Sequence, residues 1–395
     1  VAMVSRRIGV EERRARLAFR HHLHPDHRAS SPVEAARHQV GLHTSDPATP
    51  FLSAWARVDD LALSDMEACL YDDPSLFRIL GMRRTLFAVP SDLVPLLHHG
   101  CALPLAAPER RRLAGYLEAE GITDNGHGWI DQVGDATVEA IMNRGEALAT
   151  ELREDVPELK ETLTFGRGKK WGGKVGVSTR VLFLLATEGH ILRGRPRGTW
   201  RSGQYRWTTM ERVLPAGIPA LDPAVARMRL VERWLRAYGP GTEADLRWWT
   251  GWTLRDLRPA LGALDLAEVE VDTGPAWVMA DDLDPVPSPG RWAALLPGLD
   301  STVMGWRERH WYLGDRWDGL FDRNGNAGPT VWWCGRVVGG WGQRPDGSVV
   351  HRLTEDIGAD GKAAVARRAR ALEVWLSGVR VTPRFPTPLF RELSR

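Results

Sequence analysis

The sequence predicts an α+β fold, mainly helical, made of three tandem winged helix-turn-helix units with a β-rich C-terminal part. Three observations carry that expectation. Residues 223–279 read as helix, helix, tight turn, helix and hairpin, the order of a winged helix. Residues 178–208 repeat the end of that plan. The window 165–207 places ten Lys and Arg against one acid, Glu188, in a chain whose net charge is only +2. Charge gathered so unevenly marks a surface for a polyanion, and the dense polyanion of a cell is nucleic acid.

A chain of 395 residues exceeds one ordinary core. Four segments are expected: 1–160, 161–220, 221–285 and 286–395. In the first, helices are expected over 10–23, 33–42, 51–58 and 64–70 and a strand over 85–89; a third helix-turn-helix unit fits here, less cleanly marked. In the second, glycines surround Lys169, Lys170 and Lys174. Ser178 or Thr179 should then cap a helix over 180–187 that stops at Glu188-Gly189. Strands at 191–193 and 204–208 would flank a wing carrying Arg195, Arg197 and Arg201. In the third, a helix over 225–238 ends at Gly239-Pro240. Thr242 with Asp245, then Thr253 with Asp256, have the spacing of capping boxes, and strands at 268–271 and 276–279 close the unit. In the fourth, residues 330–338 read as a hairpin about Cys334-Gly335, with a closing helix over 363–375.

Composition narrows the class. Hydrophobic content of 43% and charged content of 26% are those of a globular protein. No run approaches 18 apolar residues, so no membrane span is expected. The N-terminus shows no apolar signal core, and Cys69, Cys101 and Cys334 suit a reducing compartment and fit no zinc spacing. A cytoplasmic protein is expected, with no cofactor. The 18 tryptophans outnumber the 14 Phe and Tyr together, so Trp serves here as a core filler, or a few stack on bases.

The candidate active segment is Gly41-Leu42-His43-Thr44-Ser45-Asp46-Pro47. His43, Ser45 and Asp46 are three polar groups gathered in one turn. Read as structure, Ser45 or Asp46 caps the following helix. Read as chemistry, they form a catalytic constellation. His21, His22, His24 and His27 with Asp26 have partial metal-ligand spacing, but Pro25 breaks the run, and a solvated helix end is the expectation. Asp59-Asp60 and Asp72-Asp73 read as cap and turn acids.

The run Gly41 to Pro47, followed by Phe51-Leu52-Ser53-Ala54-Trp55-Ala56-Arg57, resembles the signature region of the AlkZ/YcaQ-like bacterial winged-helix DNA glycosylases. Met82-Arg83-Arg84-Thr85-Leu86-Phe87-Ala88-Val89-Pro90 is similar to that family's next block. Trp248-Trp249-Thr250-Gly251 and Leu296-Pro297-Gly298-Leu299-Asp300 resemble later blocks. Asn324-Gly325 and Gly335-Arg336-Val337-Val338-Gly339 resemble its C-terminal β region. The resemblance implies three tandem winged helices in a C shape with a basic concave face. It also implies excision of bulky or crosslinked N-alkylpurines from DNA. This sequence departs from the family at one place: His43-Thr44-Ser45 stands where the family's glycosylases carry Gln-aliphatic-Gln or Gln-aliphatic-Asp.

An N7- or N3-alkylated purine is already a cationic leaving group, so the protein must chiefly place a water and stabilise an oxocarbenium-like sugar. On that expectation Asp46 supplies the carboxylate, neutral His43 positions or deprotonates the water, and Ser45 holds it. Arg57, Arg83, Arg84, Lys169, Lys170, Lys174, Arg193, Arg195, Arg197 and Arg201 are expected to contact double-stranded DNA, chiefly its phosphates. Tandem units remove the need for a dimer, so a monomer is expected. Two other readings stay open: a winged-helix DNA-binding protein without enzymatic activity, and RNA as the ligand of the basic window.

Overall fold

The computed structural model describes residues 6–165, 172–315 and 318–395. Lys169 and Lys170 lie outside the described residues. The chain is α+β and mostly helical, with several small antiparallel sheets.

Near the N-terminus, after a first helix Val10–Arg20, the helices Pro32–His38 and Thr49–Trp55 pack on a three-stranded sheet. Its strands are β1 (Leu42–His43), β2 (Leu76–Leu80) and β3 (Leu86–Pro90), in the order β1-β3-β2. Ser31 caps the second helix by accepting the Glu34 N–H, with Pro32 supplying a φ already suited to a helix start. That helix was expected to reach residue 42 but stops at His38. Val40 (φ 53°) and Gly41 (φ 110°) turn the chain into β1 instead. A Cβ at Gly41 would lie 2.8 Å from the Val89 side chain, so the β1–β3 contact needs glycine there.

Two long helices, Leu103–Ala119 and Gly126–Arg144, pack against each other and against the helix Val177–Glu188. Residues 1–160 are expected to be mostly helical, yet no local signal marks either of these helices individually. Pro104 and Pro108, with Gly115, Gly128 and Gly134, interrupt the pattern that would mark one. Tertiary burial of Leu113, Leu117, Ile130, Val133 and Ile141 overrides those local penalties.

Next come β4 (Ala147–Leu148) and a hairpin of β5 (Thr162–Phe165) and β6 (Gly173–Gly176). The helix Val177–Glu188 ends on Gly189 in the left-handed region, as its Glu-Gly stop signal predicts. Its start differs from expectation: Gly176 is the N-cap and no side chain caps it, so Ser178 and Thr179 fall inside the helix. Strands β7 (Ile191–Pro196) and β8 (Tyr205–Thr209) follow, and β4 joins them in the order β4-β8-β7.

Residues 223–279 form the expected sequence of elements. Helices Pro223–Tyr238, Glu243–Thr250 and Leu254–Gly262 lead into a hairpin of β9 (Leu266–Val271) and β10 (Gly274–Met279). Thr242 and Asp245 form the capping box reciprocally. Thr253 donates its hydroxyl to Asp256 at 2.7 Å but accepts no capping N–H.

The C-terminal sheet runs β11 (Ala293–Leu296), β12 (Thr330–Trp333), β13 (Arg336–Gln343) and β14 (Val349–Leu353) in chain order. Cys334 (φ 48°) and Gly335 (φ 79°) make the tight turn between β12 and β13. The helix Gly358–Leu376 packs on this sheet. One hydrophobic core joins the N-terminal helices, the 223–261 helices and the C-terminal sheet; residues 113–191 build a second. Trp234, Trp249, Trp306, Trp332 and Trp341 are core residues.

Candidate active turn and two basic clefts

The Gly41–Pro47 turn is held from both sides. On one, β1 pairs with β3 in the register Leu42↔Ala88 and His43↔Phe87, and the Thr44 N–H donates to the Leu86 carbonyl at 2.8 Å. On the other, Asp46 accepts the Ala48 N–H through Oδ1 (2.9 Å) and the Arg384 N–H through Oδ2 (2.6 Å). Asp46 is therefore a turn cap and a clamp on the C-terminal segment, only 6% exposed. Burial pushes its carboxyl above the ordinary aspartate value, and the backbone donors oppose that.

His43 is 4% exposed, with its ring edge-on to Phe87 at 5.2 Å. Its Nδ1 accepts the Ser45 N–H at a long 3.4 Å. Burial first, and then the nearby Arg83 charge, pull His43 down to about 3. The expectation of a histidine titrating near neutrality is thus corrected: His43 is neutral throughout the physiological range. Ser45 differs from both neighbours. It is half-buried and lines an open cleft.

That first cleft holds about 420 Å³. Its walls come from Arg78 to Leu80 on β2, Arg84 to Leu86, the helix Val177–Glu188, Arg193 on β7, Trp207 on β8, and Arg384-Phe385. A second cleft, of about 540 Å³, lies beyond the Met82–Arg84 turn. There Trp248 is flanked by Arg83 at 4.0 Å and Arg309 at 4.6 Å, with Arg307 and Arg323 nearby. Arg84 lines the first cleft and Arg83 the second, so this turn divides them. Both residues have positive φ (51° and 60°), a strained backbone of the kind that gathers at functional sites.

The basic residues separate into distinct environments. Arg57 was expected to contact DNA, but it is completely buried. It donates to both oxygens of the equally buried Asp300, at 2.7 and 2.9 Å, and to Thr302 Oγ1 at 2.8 Å, so no phosphate can reach it. Ser53 donates to the same carboxylate at 2.6 Å, and these donors hold Asp300 below the usual range against its burial. Arg195 is half-exposed but paired with Asp72 (2.6 Å) and Glu67 (3.6 Å). Arg84 pairs with Glu109, and Arg201 donates to the Arg380 carbonyl. Lys174 is exposed on β6, Arg197 is exposed in the loop between β7 and β8, and Arg193 is half-buried in the first cleft. Arg78, Arg309, Arg384 and Trp248 were missed as site residues. Arg78 did carry a signal: an arginine inside the apolar strand Leu76–Leu80 demands a partner.

The histidine cluster is a solvated helix end only in part: Asp26 and His27 are exposed, whereas His21, His22 and His24 are buried. His21 is fully buried, between Thr302 Oγ1 at 2.7 Å and the Ala237 carbonyl at 3.1 Å, and burial pulls it down to about 3. His22, Glu34 and His38 offer ligand atoms within 4.8 Å of one another. The His22 and His38 nitrogens lie 2.7 Å apart. Two imidazoles on one zinc ion would sit at about 3.3 Å, given bonds of about 2.0 Å. The rings are therefore hydrogen-bonded to each other, while His22 Nδ1 lies 2.9 Å from the His27 carbonyl.

Comparison with known proteins agrees with this architecture. The family described as DNA glycosylase AlkZ-like matches residues 36–375. The chain belongs to this AlkZ-like family of DNA glycosylases. Among solved structures, the Streptomyces sahachiroi DNA glycosylase AlkZ is similar at a TM-score of 0.70 and 20% identity, covering 95% of this chain and 98% of that one. At that identity the likeness speaks for the fold. No curated protein matches in sequence. Family membership implies DNA binding. Among the described residues, no helix is long and apolar enough to cross a membrane.

Proposed function

We propose that this protein hydrolyses the N-glycosidic bond of bulky or crosslinked N-alkylpurines in double-stranded DNA, acting as a monomer. On this reading residues 177–209 and 223–279 are winged-helix units, a third lies in the N-terminal segment, and the basic clefts belong to the concave face of a C. One observation carries the proposal: Ser45, in the turn that resembles the family's signature region, lines the wall of an arginine-rich cleft.

The three polar residues of the turn then divide the work. Ser45 is the group placed to touch substrate, its hydroxyl holding the attacking water. Asp46 lies one layer behind, and its carboxylate stabilises positive charge developing on the sugar. His43 is too depressed to act as a base near neutrality; as a neutral ring it orients Ser45 through the Ser45 N–H. A cationic N-alkylpurine needs little acid assistance to leave. An open cleft suits an adduct too bulky to be extruded completely.

The second reading is a lesion-binding or regulatory protein that releases no base. The covering of His43 and Asp46 by packed side chains favours it. One assay separates the two. A duplex carrying N7-alkylguanine is incubated with protein and treated with alkali. Strand breaks at the lesion support excision; binding without breaks leaves only the second reading.

A further inference from the structure

Behind the first cleft, three arginines and three aromatic rings interleave. Trp207 and Tyr205 lie 5.5 and 5.2 Å from the Arg193 guanidinium; Tyr205 and Tyr71 lie 4.8 and 5.2 Å from that of Arg78; Tyr71 lies 4.8 Å from that of Arg195. Arg195, at the outer end, is neutralised by Glu67 and Asp72. The other two are not. Arg78 is 3% exposed, and its Nε, Nη1 and Nη2 have no hydrogen-bond partner among the described residues. Arg193 forms no ion pair among the described residues, and burial penalises its charge. The Tyr71 and Tyr205 hydroxyls are also buried without partners among the described residues. Asp46 acts electrostatically on Tyr205, yet both its oxygens are committed to backbone N–H groups.

Cation–π contact offsets only part of the cost of burying a guanidinium. A buried, unpaired fork is strongly unfavourable, as is the charge left behind when a buried ion pair is broken. Arg78 and Arg193 line the cleft, and the two phenols stand behind them; five orphaned polar atoms in one such cluster are a site waiting for an acceptor. We propose that Arg78 and Arg193, with the Tyr71 and Tyr205 hydroxyls, form an oxyanion subsite that grips one phosphodiester of the strand whose sugar faces Ser45. A phosphate has the oxygens to accept the planar Arg78 fork bidentately, and the phenols donate to what remains. The subsite rests on the reading of the cleft as DNA-binding. It goes beyond the exposed basic wing: it fixes the register of one nucleotide where the wing supplies general attraction.

The first probe is inorganic phosphate. Wild-type protein is expected to melt at higher temperature in phosphate than in chloride of equal ionic strength. Arg78→Met is expected to melt no lower than wild type in chloride, since an uncompensated charge is gone, and to lose the phosphate shift. A shift that persists in Arg78→Met overturns the subsite. Should that variant not fold, Arg193→Gln and Tyr205→Phe give the same readout, and an undiminished shift in both overturns it equally.

The second probe is a duplex with an uncleavable abasic analogue and a single neutral methylphosphonate moved along the strand. Wild type is expected to lose roughly tenfold in affinity at one linkage, and Arg193→Gln to be indifferent there. A phosphate shift without any sensitive linkage would assign the site to a free anion and overturn the phosphodiester. Binding is read without excision. A protein that shows the sensitive linkage but releases no base would therefore end the glycosylase reading and leave this subsite standing.

Discussion

The carboxylate of Asp46 accepts the backbone N–H of Arg384 at 2.6 Å across 338 positions of sequence. The Arg384 guanidinium returns to the Ser45 carbonyl at 3.2 Å, so the C-terminal segment straps the candidate active turn. Asp46→Ala leaves the buried Ala48 N–H and the part-buried Arg384 N–H without their acceptor and is expected to cost about 1–3 kcal/mol. Chemical denaturation measures this. On the proposed mechanism, single-turnover excision by the folded variant should fall as well. A stable Asp46→Ala protein with unchanged excision removes Asp46 from the mechanism.

Ser45→Ala is the sharper test of chemistry. Ser45 lines the cleft, and its Oγ receives the Leu86 N–H only at the 3.5 Å limit. The melting temperature should change little, while excision falls by about 10²-fold if a water-holding hydroxyl is lost. Duplex affinity, read by fluorescence anisotropy, should stay within about twofold, since phosphate contacts dominate binding.

Arg57 and Asp300 form a buried pair with support from Ser53 and Thr302. Arg57→Met or Asp300→Asn alone strands a charge in the core and is expected to cost about 3–5 kcal/mol. The double variant should be less unstable than the sum of the two, because neither charge is left unpaired. Urea unfolding of the four proteins measures the coupling; additive losses would show the two residues to be independent.

Acid should destabilise the fold through two buried histidines. His21 and His43 both sit at about 3 in the folded chain, against about 6.5 when unfolded. The unfolded state therefore binds more protons between those values, and stability rises with pH across that window. It is complete above pH of about 6.5 and is lost as pH falls, by about 1.4 kcal/mol per unit for each histidine. Urea midpoints at pH 7, 6 and 5 test this. For the same reason the excision rate should show no inflection from His43 between pH of about 5 and 8; a histidine-like inflection that vanishes in His43→Gln would refute the assignment of a neutral positioning ring.

Arg195 and Arg197, at the β7–β8 turn, should not behave alike. Arg197 is exposed, whereas Arg195 already has two acidic partners. Arg197→Glu should weaken binding to every duplex similarly and lower the salt slope by about 0.9 per lost phosphate contact. Arg195→Glu should instead lower the melting temperature, by placing a third acid beside Glu67 and Asp72. Affinity measured against salt concentration, alongside melting curves, separates the two.

Local rules made much of the fold legible. The capping pair Thr242 and Asp245, the Gly189 stop and the Cys334-Gly335 turn are short-range stereochemistry, and they mark elements that the structure contains. The same rules failed over 103–144. There, prolines and glycines disguise two long helices that only burial against the helix Val177–Glu188 stabilises.

By itself, then, the sequence determined element types, the family's ordered blocks and a concentration of positive charge, because each is written in neighbouring residues. Tertiary structure alone decided which charges are available. Arg57 and Arg195 read from sequence as ligands for phosphate, and each found a carboxylate far along the chain. Arg78 read as one residue of an apolar strand, and it found none among the described residues. Desolvation and pairing depend on groups brought together from distant segments, which no local pattern records.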